Sequence, residues 1–160
     1  MKNILFVTTL LLLNSCGYHL RSNNALAENH PEIKLNIKAQ SLLKRPLINA
    51  LLSSNVTLTD DISEQTSELI ILKDSLIKVV QSIGANNQVQ EYRLEYDVEY
   101  SLADSASQSI HIEKDYSFDV QQIGGGQSEE IALRKQLADD MAWAIIRQMS
   151  VTKNANNSVE

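Results

Sequence analysis

Hydrophobic and polar residues alternate strictly along two neighbouring stretches of the chain. In the first stretch, acids fill most positions of one face, and the hydrophobic face consists of Tyr92, Leu94, Tyr96, Val98, Tyr100 and Leu102. In the second stretch, the hydrophobic positions are Ile110, Ile112, Tyr116, Phe118 and Val120. Strict alternation is typical of antiparallel strands with one face packed and one face in water. The pattern therefore predicts two paired strands in a half-buried sheet.

Further elements are predicted upstream of this pair. Residues 32–39 alternate as a half-buried strand, and a short strand is expected near residues 56–58. Between them, Pro46 suits the first position of a helix that stops near residues 54–55. The segment 69–83 favours strand throughout, although its alternation changes phase near residues 73–75. A β-bulge at that point would explain the change of phase.

A long C-terminal helix is predicted after Gly124-Gly125-Gly126, with Ser128 as its cap. At 100° per residue, its hydrophobic stripe comprises Leu133, Leu137, Ala138, Met141, Ala142, Ile145, Ile146 and Met149. Trp143 and Arg147 fall near the opposite side. The glycine run is expected to connect strand and helix, and the alternative is an anion cradle of backbone amides.

Together these elements predict an α+β fold: a two-layer sandwich with two helices packed on one face of a mainly antiparallel four-stranded sheet. The chain of 160 residues is long enough for one core. We expect a single domain over residues 32–150, preceded by a tether at 16–31 and followed by a disordered tail at 151–160.

The N-terminus carries an export pattern. Residues 1–15 combine a short basic start with an apolar run, and Leu-Asn-Ser-Cys at 13–16 resembles the lipobox of bacterial lipoproteins. In this interpretation residues 1–15 are a signal peptide, and Cys16 is acylated and anchors the chain to a membrane. Gly17, which is not Asp, points to the outer membrane by resemblance to enterobacterial sorting. The alternative is an ordinary secretory signal with a chance cysteine.

Charge and composition exclude several classes of function. Fourteen Lys and Arg against twenty Asp and Glu give a net charge of −6, which argues against a nucleic-acid partner. A single cysteine excludes a disulfide framework and a cysteine-rich metal site. The histidines His19, His30 and His111 lack metal-ligand spacing and are interpreted as solvated, so no metal or cofactor is expected. The acidic strand face is interpreted as solvated and not as a catalytic pair, and no nucleophile motif occurs.

A resemblance to a known family rests on residues spread along the chain. Cys-Gly-Tyr-His-Leu-Arg at residues 16–21 resembles the mature start of the lipopolysaccharide (LPS)-assembly lipoprotein family, LptE (also called RlpB). The similarity continues through Pro46-Leu47, through Glu91-Tyr92, and through Ala142 and Ile145-Ile146-Arg147 in the closing helix. The resemblance therefore spans residues 1 to about 149.

The resemblance implies a non-enzymatic role as the plug and assembly factor of the LPS translocon barrel, LptD. It implies a lipid-anchored, periplasm-facing location in the outer membrane, and it implies lipopolysaccharide binding through basic loops at one end of the sheet. In this sequence the turn 84–88 and the loop 121–127 contain no Lys or Arg. The nearest cations, Arg93, Arg134 and Lys135, are therefore the candidate lipopolysaccharide contacts.

Candidate contacts with the barrel lie on the closing helix. Trp143 is expected to face outward beside Arg147, and Trp and Arg are enriched at the buried anchors of interfaces. A single exposed aromatic residue on a monomer needs no such explanation. The alternatives for the whole chain are an auxiliary lipoprotein of another envelope transport system and, more remotely, a lipid-anchored hydrolase.

Overall fold

The computed structural model describes residues 25–85, 87–103, 105–117 and 125–156. In chain order, their elements are α1 (Ala25–Asn29), β1 (Glu32–Asn36), α2 (Lys44–Ser53), β2 (Thr57–Leu58), β3 (Thr66–Ile83), β4 (Val89–Leu102), β5 (Gln108–Ser117) and α3 (Gly125–Asn156). The predictions for the signal peptide, Cys16, His19, Phe118 and Val120 fall outside the described residues.

The strands form one mixed sheet in the order β2-β1-β3-β4-β5. β3 pairs antiparallel with β4, and β4 pairs antiparallel with β5, as the alternation predicts. β1, however, runs parallel to both β2 and β3. The α+β class is confirmed, but the four-stranded sheet with two helices is wrong in detail, since the described residues form five strands and three helices. A connection through α2 returns the chain to the same edge and makes β2 parallel to β1.

The β3–β4 pair contains the predicted irregularity. Its register shifts between Ile71 and Lys73, just ahead of the position where the sequence changes phase, and shifts again near Ser82. The turn that joins the two strands is closed by the amide of Gly84, which donates to the carbonyl of Gln88 at 2.8 Å. Ser117 pairs with Glu91, so β5 ends at the same end of the strands as this turn, which we call the turn end of the sheet.

The core lies between the sheet and the helices. Alternate residues of β4 face it, from Leu94 to Leu102, and they meet the predicted stripe of α3. Leu47 and Leu51 of α2 complete the packing. This arrangement confirms the strand faces and the helix stripe, and it leaves the opposite face of the sheet without a helix from the described part of the chain. We call that opposite face of β3, β4 and β5 the outer sheet face.

Two segments expected to lack structure are helical. α1 lies inside the predicted tether, and its Leu26 is fully buried in the core and 0% exposed. α1 packs against α3, which explains why a five-residue helix persists. At the other end, α3 continues to Asn156, beyond the predicted start of the tail. The tether prediction is therefore wrong for residues 25–29, and the tail prediction is wrong for residues 151–156.

No helix within the described residues combines the length and the apolar character that crossing a membrane requires.

Candidate functional site

A compact cluster of charged and aromatic side chains lies where α3 crosses the turn end of the sheet. Glu130 of α3 is its centre: its Oε2 accepts hydrogen bonds from Lys78 Nζ and from the Tyr116 hydroxyl, both at 2.8 Å. Its Oε1 accepts a third from Arg134 Nε, also at 2.8 Å. Lys78 Nζ lies 4.7 Å from the centre of the Tyr92 ring, which is within cation–π range. We call these five residues the Glu130 cluster.

The charges in this cluster are strongly coupled. The hydrogen bond from Lys78, aided by those from Arg134 and Tyr116, lowers the pKa of Glu130 to about 2. Burial, together with the bond to Glu130, raises the pKa of Tyr116 above its usual value. Lys78 and Arg134 outnumber the single carboxylate they share, which leaves a net charge of +1, and the exposed α3 residues Lys135 and Glu129 offset each other. This end of the helix face is therefore locally basic and suits an anionic group such as a phosphate.

The structure does not bring the three predicted lipopolysaccharide contacts together. Arg134 and Lys135 are neighbours on α3, whereas Arg93 lies on the outer sheet face, where it pairs with Asp115 and Glu113 of β5. A single basic end formed by all three residues is therefore wrong. The strand alternation itself separates them, because Arg93 points away from the face that α3 covers. The three residues lie toward the predicted end of the sheet but on different faces, and Lys78 was not among the predicted contacts.

The outer sheet face is predominantly acidic. Its cations are Lys73 and Arg93, and its carboxylates are Glu91, Glu95, Asp97, Glu99, Glu113 and Asp115. Six carboxylates against two cations leave a local charge of −4 with His111 neutral, so this face carries much of the chain's net charge of −6. The acidic strand face is thus placed as predicted, on the side of the sheet away from the core.

His111 is exposed on this face and joins two carboxylates. Its Nδ1 lies 2.8 Å from Asp97 Oδ1, and its Nε2 lies 3.6 Å from Glu113 Oε2. The hydrogen bond to Asp97 is the main cause of a raised pKa for His111. The predicted position of His111 on a wet strand face is confirmed, whereas these two partners were not predicted. Within the described ranges, no group of three or more His, Cys, Asp or Glu side chains is arranged to hold a metal ion.

Two polar groups of side chains near the core were also missed. The Asp74 carboxylate accepts hydrogen bonds from the Tyr96 hydroxyl at 2.8 Å and from the Ser41 hydroxyl, which fastens the β1–α2 connection to β3. His30 Nδ1 lies 2.7 Å from the Ser67 hydroxyl oxygen. Burial and the bond to Asp74 raise the pKa of Tyr96. The sequence alternation could not assign Asp74 to the inward face, because this residue lies where the alternation changes phase.

The two candidate barrel contacts on α3 differ in environment. Arg147 is exposed, as predicted. Trp143 is half-buried and packs against the hydrophobic core, so its predicted outward position is wrong. The two-helix arrangement omitted α1, which packs against α3 and reduces the free surface of that helix.

Comparisons with known proteins agree with this architecture. The family model described as "LptE: Lipopolysaccharide-assembly" matches residues 26–149. No curated protein matches the chain.

Among the solved structures that share the fold are three lipoproteins. Rare lipoprotein B from Shewanella oneidensis is 24% identical with a TM-score of 0.69, covering 79% of this chain and 98% of that one. An uncharacterized lipoprotein B from Nitrosomonas europaea is 22% identical with a TM-score of 0.71, covering 87% and 94%. A minor lipoprotein from Acinetobacter baumannii is 20% identical with a TM-score of 0.67, covering 78% and 93%. At these identities the likeness shows the fold, and the family model decides the family. Because that model spans most of the chain, the protein belongs to the LptE family of lipopolysaccharide-assembly proteins.

Proposed function

We propose that this protein is a non-enzymatic outer-membrane lipoprotein that plugs the LptD-type barrel of the LPS translocon. In this role it assists assembly of the barrel and delivery of lipopolysaccharide to the outer leaflet. The observation that carries the proposal is the match of the LptE family model over residues 26–149. A plug acts through its shape and its contact surfaces. This agrees with a fold whose charged groups lie on two separate faces of the sheet.

The proposed anchor is Cys16, which would hold the chain at the periplasmic side of the outer membrane through its acyl chains. Several acyl chains make membrane attachment effectively permanent, whereas one chain gives only marginal binding. Cys16→Ala is expected to leave the precursor unprocessed. The intact mass of the purified chain checks this, and a cleaved but unmodified N-terminus would contradict it.

The proposed lipopolysaccharide contacts are Arg134 and Lys135, with Lys78 of the Glu130 cluster beside them. Lys78 and Arg134 share one carboxylate, and exposed Lys135 follows Arg134 on α3, so the local field attracts phosphate groups. Arg93 is not assigned to this surface, because it lies on the outer sheet face between two acids. Exposed Arg147 and half-buried Trp143 are the proposed contacts with the barrel on the α3 side.

Affinity purification of the full chain from outer membranes tests the plug proposal. We expect an LptD-type barrel to copurify in stable, equimolar amounts, and to do so after extraction in high salt because the shape of an enclosed plug contributes most of its binding. Copurification with an inner-membrane transporter in place of the barrel would favour the auxiliary-lipoprotein alternative. Loss of all function on changing one Ser, Asp or His, with the complex intact, would favour the hydrolase alternative.

A further inference from the structure

The outer sheet face contains a carboxylate that the fold leaves without a direct ion pair. Glu95 of β4 lies directly opposite Glu113 of β5 and, on its other side, opposite Ile77 of β3. Like charges directly opposite each other destabilise an antiparallel pair. Glu113 is compensated by Arg93 Nη1 at 3.2 Å and His111 Nε2 at 3.6 Å. Among the described residues, Glu95 forms neither a direct ion pair nor a side-chain hydrogen bond, and the charge of Arg93, which is bound to Asp115 and Glu113, reaches it only at longer range.

An apolar side chain lies beside this carboxylate. Ile77 is 47% exposed, although it sits near the middle of a long, well-paired strand. An isoleucine exposed to water at this position contributes no stabilising free energy, whereas a partner that covers it removes apolar surface from water. An acid without a direct ion pair beside an exposed isoleucine is therefore better explained by a covered face than by a solvated one.

A shallow depression extends the same surface toward the opposite end of the strands. It has a volume of about 170 Å³, and Lys73, Asp97, Glu99, Ser109 and His111 line it. Asp97 is already engaged, with Lys73 Nζ at 3.9 Å and His111 Nδ1 at 2.8 Å. Glu99 has no ion-pair partner among the described residues, so its carboxylate is available to a cation that enters the depression.

We propose that the outer sheet face is a protein-docking surface whose occupant is an arginine-bearing, basic patch on the wall of the barrel. This inference rests on the proposed plug function and assigns one face of the plug to a wall of defined chemistry. Arginine suits the surface because its planar guanidinium can bind a carboxylate at two points while its aliphatic stem packs on Ile77. Charge complementarity of this kind fixes the orientation of a partner and accelerates its association.

The same charge argument excludes lipopolysaccharide from this face. Its phosphates are repelled by a surface with a local charge of −4, and they are attracted to the basic end at Arg134 and Lys135. The two surfaces lie on opposite sides of the sheet. The plug would therefore turn the Glu130 end of its helix face toward the lipid and its outer sheet face toward the basic wall, and the Trp143 and Arg147 part of α3 remains available to another part of the barrel.

Binding of the full chain to the purified barrel from the same bacterium tests the charge requirement. The test variant is Glu95→Gln with Glu99→Gln, which removes two unpaired carboxylates and changes little in shape. The matched control is Asp60→Asn with Asp61→Asn, which removes the same charge from the exposed β2–β3 connection. We expect the test variant to raise the Kd about tenfold or more at low salt, with a smaller effect at high salt, and the control to bind like the wild type.

A photoreactive amino acid at position 77 tests the contact itself. We expect it to cross-link to an Arg- or Lys-bearing segment of the barrel, and a photoreactive group at position 61 not to do so. If the complex forms but position 77 does not reach the barrel, or if the test variant binds normally, the docking inference is overturned and the plug proposal stands. A cross-link to a second copy of this chain, or equal losses in test variant and control, would also overturn it. If no complex forms with the wild type, the plug proposal fails and the inference fails with it.

Discussion

The guanidinium of Arg93 binds the carboxylate of Asp115 in a two-point contact across β4 and β5. Arg93 Nε donates to Oδ1 at 2.6 Å, and Nη2 donates to Oδ2 at 3.0 Å. This paired geometry is the strong form of an Arg–carboxylate interaction, and it lowers the pKa of Asp115 while raising that of Arg93. Because Arg93 is committed to the outer sheet face, it is not free to act with Arg134.

The first prediction separates the two basic regions. Arg134→Gln with Lys135→Gln should weaken binding of lipopolysaccharide to the full chain several-fold at low salt, since the local field at the Glu130 cluster is reduced. Arg93→Gln should leave this binding within about twofold, because Arg93 lies on the other face. Titration with purified lipopolysaccharide at two salt concentrations measures both effects. Equal losses in the two variants would contradict the separation of the faces.

The second prediction concerns the protonation of His111. Asp97 raises its pKa by hydrogen bonding, so the protonated form is favoured in the folded chain. The stabilisation is complete below the unfolded pKa of about 6.5 and is lost as the pH rises through the folded pKa. We expect the His111 resonances to titrate above pH 6.5 by NMR and Asp97→Asn to lower that midpoint. A wild-type midpoint at or below 6.5 would contradict the Asp97–His111 contact.

The third prediction concerns acid. The pKa of Glu130 is held at about 2 by Lys78, Arg134 and Tyr116, against an ordinary value of 4.5. A lowered carboxyl pKa contributes stability above the unfolded value, and that stability is lost as the pH falls from about 4.5 toward 2. The free energy of unfolding of the full chain should therefore decline over this range. Glu130→Gln should be less stable at pH 7 and should show a shallower decline, whereas exposed Glu129→Gln should behave like the wild type.

The hairpin and the helix stripe were predictable because they are periodic. Alternation in β4 places Leu94 and Tyr96 inward, and the 100° spacing of α3 places Leu137 and Met141 inward, without any knowledge of their partners. β2 was expected as a strand, but its parallel pairing with β1 was not, since two residues carry no information on strand direction. Pairing of this kind is decided by the path of the chain.

The candidate site was less predictable for a similar reason. A sequence shows that Arg93 and Arg134 are both near the turn end of the sheet, but the ion pairs that separate them are tertiary. Lys78 was missed because it interrupts an apolar strand, and only the contact with Glu130 of α3 gives it a role. In the sequence, Glu95 is one acid among several on the same strand face. Only the register of β4 and β5, which places it opposite Glu113, distinguishes it from the others.

The fourth prediction tests α1, the helix that the sequence reasoning missed. Leu26 is fully buried in the core, so Leu26→Ala should lower the free energy of unfolding by about 2–5 kcal/mol. Leu42→Ala is the matched control, because Leu42 is 45% exposed and its loss should cost less than about 1 kcal/mol. Urea denaturation of the full chain measures both. Similar small losses in the two variants would show that α1 contributes little to the core.

The last prediction concerns the two candidate barrel contacts on α3. Trp143 is half-buried against the core, so Trp143→Ala should lower the free energy of unfolding by about 2 kcal/mol. Arg147 is exposed, and Arg147→Ala should change stability by less than about 0.5 kcal/mol. Urea denaturation and barrel binding should therefore be measured on the same samples. A loss of binding in Arg147→Ala at unchanged stability identifies a contact, because no unfolding accompanies it.

For Trp143→Ala, binding measured well below the denaturation midpoint separates the two roles. A contact lowers the affinity of the folded fraction, whereas a purely structural residue leaves that affinity unchanged. If Trp143→Ala is as stable as the wild type, the packing of Trp143 against the core is contradicted.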